Sequence, residues 1–168
     1  MASRFAIQDA IKESEARLAR LVPLMETYAD SKLLDDGDKW TVKACLSHIA
    51  ASARVTAGAQ RAIDRAAGKA PPAPPGGMSV DERNEQQVTE RRGKSIAELV
   101  DETKKAHAQA LEDLRAMDDT ALGKKVQAFG PNSAEQSVSG VILRTIEYHE
   151  GGQMDRIECA LKSHTRWP

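Results

Sequence analysis

Val138-Ser-Gly-Val-Ile142-Leu-Arg-Thr-Ile146-Glu-Tyr-His149-Glu-Gly-Gly-Gln153-Met-Asp-Arg-Ile157-Glu-Cys-Ala160 is the stretch that decides the fold. At about 100° per residue, Val138, Ile142, Ile146, Ile157 and Ala160 fall on one stripe, which is the pattern of a long amphipathic helix. His149 and Gln153 fall on the same stripe, so the spacing predicts two polar side chains pointing inward one turn apart. An earlier stretch, Trp40-Thr-Val-Lys-Ala-Cys-Leu-Ser-His48-Ile49, has the same periodicity. There Val42, Cys45, Leu46, Ile49, Val55, Thr56 and Ile63 define the buried face, and His48 lies roughly 70° off its centre, at the edge. If the two helices are neighbours, His48, His149 and Gln153 converge inside a bundle as a candidate metal or catalytic site.

Working outward, the rest of the chain reads as helix with no convincing strand. A first helix over roughly residues 5–28 presents Ile7, Ile11, Leu18, Leu21, Val22 and Met25, and Pro23 is expected to kink it. Residues 29–39 read as an irregular connection. Thr41 is the expected N-cap of a second helix running to about Ala67, where Gly68-Lys-Ala-Pro-Pro-Ala-Pro-Pro-Gly-Gly stops it. Ser79 with Glu82 and Ser95 with Glu98 have capping-box spacing. They open a short third helix, ending near Gly93, and a fourth that reaches about Met117. The fourth helix carries Leu99, Val100, Ala110, Leu111 and Leu114 inward, and His107 as a packing residue. The last helix is expected from Asn132 or Ser133 to about Lys162. The fold class predicted is all-α: a four-helix bundle with an extra short helix and long crossover loops, in one domain over residues 1–168.

Composition bounds the partners. The 168 residues are 40% hydrophobic and 29% charged, enough for one globular core. Aromatics are only 4%, so aliphatic side chains must do the packing. A formal net charge of -1 gives no general attraction to phosphate backbones or anionic lipid, so neither nucleic acid nor a membrane is an expected partner. With no continuous apolar run at the N-terminus, the expected location is cytoplasmic. Cys45 and Cys159 are too few and too far apart for a disulfide framework or a CxxC metal site. Leu143, Met154 and Leu161 form a second stripe facing outward on the last helix, which suggests a homodimer if nothing else covers it.

These residues carry a family resemblance. Trp40-Thr41-Val42-Lys43 followed by His48-Ile49, then Asp81-Glu-Arg-Asn84 with Arg91-Arg-Gly-Lys-Ser95, then His149-x-x-x-Gln153-x-x-x-Ile157, resembles the DinB/YfiT-like superfamily, including its mycothiol-dependent maleylpyruvate isomerase N-terminal domains. The resemblance covers nearly the whole chain in helix order. It implies a four-helix bundle, often dimeric, holding a divalent metal such as Zn or Ni through one His of the second helix and a His-x-x-x-His pair of the last. It also implies thiol-dependent transferase or isomerase chemistry on a small-molecule substrate, with a low-molecular-weight thiol as cofactor. On that pattern His48, His149 and Gln153 are the metal ligands.

The chain departs from the pattern at two positions. Gln153 stands where the second His of the pair is expected, and a neutral amide oxygen is a poorer ligand for zinc-like ions than imidazole. Ala44 stands where relatives carry an acid, which at N3 after Thr41 is half of a capping box. Cys45, one turn before His48, reads as a small buried hydrophobe rather than a thiolate. Gly151-Gly152 inside a helix costs roughly 1 kcal/mol per glycine relative to alanine, which signals a close approach, a partner helix or a local bulge. The charged stretch from Asp81 to Arg92 reads as a solvated face. Two functions are compatible with all of this: a metal-dependent enzyme, and a non-catalytic bundle with a degenerate metal site that binds small molecules or partners.

Overall fold

The computed structural model describes residues 2–34, 40–69, 78–127 and 134–164, apart from the side chains of Arg65 and Ala66. The fold is all-α, with several long helices packed on one another. Helix α1 (Arg4–Thr27) is capped by the Ser3 side chain and continues through Pro23. Helices α2 (Val42–Ser52) and α3 (Val55–Ala66) replace the single second helix that periodicity predicts. At the end of α2 the Ser52 hydroxyl donates to the carbonyls of His48 and Ile49 at 2.9 and 3.0 Å, and the Ala53 amide still donates to Ile49 O at 2.9 Å. The chain breaks at Ala53, and the two pieces supply different parts of the core.

Helices α4 (Val80–Glu90) and α5 (Ile96–Ala116) start at the expected capping boxes, Ser79 with Glu82 and Ser95 with Glu98. The connection after α5 contains a short α6 (Asp119–Gly123), capped by Asp118. It is followed by a two-residue antiparallel ladder, β1 (Lys125–Val126) against β2 (Gln136–Ser137), where no strand was expected. The expected cap at Asn132 or Ser133 lies outside the described residues. Glu135 and Gln136, its expected N3 partners, are not helical. The helix instead begins as α7 (Val138–Arg144), where Ser137 accepts from the amide of Gly140 at 3.1 Å. A π-helical segment (Thr145–Glu150) then leads into α8 (Gly151–His164).

A π-turn takes in one more residue than an α-turn, and this moves the inward register. The buried positions run Ile142, Ile146, Glu150, Met154, Ile157 and Leu161, so Glu150 and Met154 take the places expected of His149 and Gln153. Those two are half-buried on the flank. Met154 and Leu161, expected to face outward, are each 1% exposed and share a cluster with Leu18, Leu21 and Met25 of α1. Arg17 ties the same two helices together through Asp155 at 2.6 Å and Glu158 at 2.7 Å. Two of the three residues of the apolar strip that suggested a dimer are therefore covered by the chain's own first helix, while Leu143 is half-buried against the second apolar cluster.

Apolar side chains gather in two clusters. One joins the C-terminal half of α1 to α2, the start of α5 and α8; the other joins the start of α1 to α3, the end of α5, α7 and the π-segment. Between them, along their own helices, lie the buried polar side chains of Ser14, Thr103, His107 and Glu150. Among the described residues no helix is long and apolar enough to cross a membrane.

The glycine pair marks a bulge rather than a close approach. A Cβ on Gly152 would meet nothing within 4 Å, and one on Gly151 would meet only the Ile146 carbonyl oxygen at 3.8 Å. Both residues directly follow the π-segment. Gly152→Ala is accordingly expected to raise stability by about 0.5–1 kcal/mol, read as a higher thermal midpoint. A lower midpoint would mean that the π-turn needs the glycine's backbone freedom.

Candidate functional site

The break after α2 and the π-segment before α8 together set the histidines. His48 is 4% exposed, and its ring centroid lies 4.9 Å from that of His149, edge to face at 82°. This is well inside the roughly 10 Å beyond which one ion with Zn–N bonds near 2.1 Å could not join them. Trp40 closes the other side of His48 at 5.0 Å between centroids. Helix α4 buries no side chain of its own, yet it supplies Gln87, whose Oε1 is 3.2 Å from His48 Nδ1. With an amide oxygen accepting, the proton sits on Nδ1 and Nε2 keeps its lone pair. From the same helix Glu85 Oε1 accepts from Trp40 Nε1 at 2.6 Å.

Both imidazoles are held neutral. Burial, and then the nearby His149, depress the His48 pKa from 6.5 to about 4, against a smaller opposing effect of the Gln87 hydrogen bond. Burial also lowers His149, with Glu150 pulling the other way.

Gln153 lies beside the pair but faces other partners. Its Oε1 accepts from Arg156 Nη1 at 2.7 Å and from Cys45 Sγ at 3.2 Å, and the guanidinium carbon lies 5.9 Å from the Trp40 ring centroid. A cation already occupies the oxygen that the resemblance offers to a metal. The residues present therefore do not fit a three-ligand ion: two imidazoles are suitable, but the third donor is turned to a positive charge. Among the described residues no group of three or more His, Cys, Asp and Glu side chains could hold a metal ion.

Periodicity thus finds His48 and His149 as a pair and Gln153 as their neighbour, and it misses three others. Arg156 is three residues past Gln153, a spacing that places the two together on a helix. Gln87 and Glu85 come from the stretch read as a solvated face, which α4 largely is. Arg91 of that stretch is committed to Glu102 at 2.8 Å. A groove of about 620 Å³ between α3 and α5, lined by Arg54, Lys94, Asp101 and Asp113 among others, does not include the site.

An all-α fold whose second and last helical stretches bring one histidine each to a common point defines the class. The chain belongs to the DinB superfamily, which it matches over residues 13–152. The matched span contains both histidines and ends one residue before Gln153. No curated protein and no solved structure matches the chain.

Proposed function

We propose that this chain uses a DinB-type four-helix bundle, with α2–α3 and α7–α8 as interrupted members, to bind a small anionic molecule at His48, His149 and Gln153 without a protein-held divalent ion. The observation that carries the reading is the 2.7 Å contact of Arg156 with Gln153 Oε1. It puts a permanent positive charge where the resemblance places a metal ligand, so the cleft attracts anions as the metal would have done. His48 is suited to binding rather than proton transfer: a base with a pKa of about 4 lies far from the neutral range that general-base catalysis favours. A low-molecular-weight thiol that also carries a carboxylate is the ligand class: its carboxylate can pair with Arg156 while its S–H donates to the lone pair of His48 Nε2, in keeping with the resemblance to thiol-dependent isomerases. Entry requires α4 to lift from His48, and a helix with no buried side chain is the kind of element that opens at low free-energy cost.

Titration with N-acetylcysteine and with acetate, followed through the ring resonances of His48 and His149 against a chloride control, tests this reading. Saturable shifts are expected. Arg156→Gln should weaken them about tenfold or more, the worth of a hydrogen bond to a charged group. Shifts that do not saturate, or that are indifferent to Arg156→Gln, would overturn the reading.

A further inference from the structure

A buried carboxylate costs several kcal/mol unless charge and hydrogen bonds offset it, and Glu150 is 0% exposed. Its Oε2 accepts from Ser14 Oγ at 3.1 Å and lies 3.1 Å from His107 Nε2, while its Oε1 is buried without a hydrogen-bond partner among the described residues. His107 is also 0% exposed, with Nδ1 3.4 Å from Glu15 Oε1, an ion-pair separation without hydrogen-bond alignment. A leucine or methionine at position 150 would fill the same space with no charge to compensate. The carboxylate must therefore do something that packing does not.

The backbone indicates what that is. Glu150 is the last residue of the π-segment, and its side chain is tied to α1 through Ser14 and to α5 through His107. Fixing residue 150 inward leaves residue 149 on the flank of the helix. That flank is where the His149 ring meets His48 of α2, 4.9 Å away. In a helix of plain α-turns, position 149 would itself take the inward place one turn after Ile146.

We propose that Glu150 is the positioning residue of the histidine site: tethered by His107 and Ser14, it holds the π-turn that sets His149 against His48. The inference rests on reading His48 and His149 as the functional pair, but its test needs no ligand, so failure of the binding reading would not be mistaken for failure of this one.

The test is the nuclear Overhauser contact between the two imidazole rings in the full-length protein. Wild type should show it. Glu150→Gln, which keeps a side-chain oxygen for Ser14 and His107, should retain it, whereas Glu150→Ala, which has neither the hydrogen bonds nor the bulk to hold position 150 inward, should lose it while the far-ultraviolet helix signal persists. Glu150→Ser replaces the alanine variant if that one does not fold. A folded alanine or serine variant with the His48–His149 contact intact would overturn the proposal, as would loss of the contact in Glu150→Gln.

Discussion

His107→Leu is expected to destabilise the protein by about 3–5 kcal/mol, because it leaves the buried Glu150 carboxylate with Ser14 as its only hydrogen-bond partner among the described residues. Replacing both residues, His107→Leu with Glu150→Leu, should recover most of that loss, since an apolar pair carries no charge to desolvate. Urea unfolding reads both values. A single variant costing less than about 1 kcal/mol, or a double variant worse than the single, would show that the pair is not coupled. The pH dependence supplies a second signature. Burial alone would lower the His107 pKa, but the hydrogen bond and charge of Glu150, joined by Glu15, outweigh it and leave the pKa raised above 6.5. The folded chain thus holds its proton more tightly than the unfolded one. This stabilisation is fully present below pH 6.5 and is lost as pH rises through the folded value. His107→Leu should abolish that alkaline decline.

The second large effect has the opposite sign. His48 is depressed from 6.5 to about 4, so above pH 6.5 it is neutral in both states and costs nothing. As pH falls from 6.5 toward 4, the unfolded chain takes up a proton that the folded chain refuses. Stability should drop by about 3 kcal/mol across that window, at about 1.4 kcal/mol per pH unit. His149 is lowered too and adds to the same slope. Measured as unfolding free energy against pH, His48→Gln should flatten the acid limb between pH 6.5 and 4 relative to wild type. An unchanged limb would mean that His48 is charged in the folded state.

How much of this is legible in the residues depends on the physics involved. Capping boxes are local, involving one side chain and one amide three residues on, so Ser79 with Glu82 and Ser95 with Glu98 are read correctly and to the residue. The faces of α1 and α5 are legible because an uninterrupted helix keeps its period. The break at Ala53 and the π-segment are not, because each goes with tertiary partners: α2 packs on α4 and α8 while α3 packs on α7, and Glu150 finds Ser14 and His107 across the interior. A single added residue in the turn is enough to exchange His149 and Gln153 for Glu150 and Met154 on the inward stripe. His149 and Gln153 stay together through that shift because residues one turn apart stay one turn apart on the flank as well. The role of Arg156 is not legible, for a different reason. A lone arginine on a helix is ordinarily solvated, and only the place of Gln153 beside it gives the pairing a meaning.

The central claim is that Arg156 and Gln153 have taken the place of a third metal ligand, and zinc calorimetry tests it most directly. Wild-type protein purified without an affinity tag should bind no stoichiometric zinc. Gln153→His combined with Arg156→Gln should bind about one ion per chain, because the variant pairs a third imidazole with His48 and His149 and removes the competing charge. Tight binding of one zinc per chain by the wild type, abolished by His149→Ala, would contradict the account and restore the metal-dependent reading.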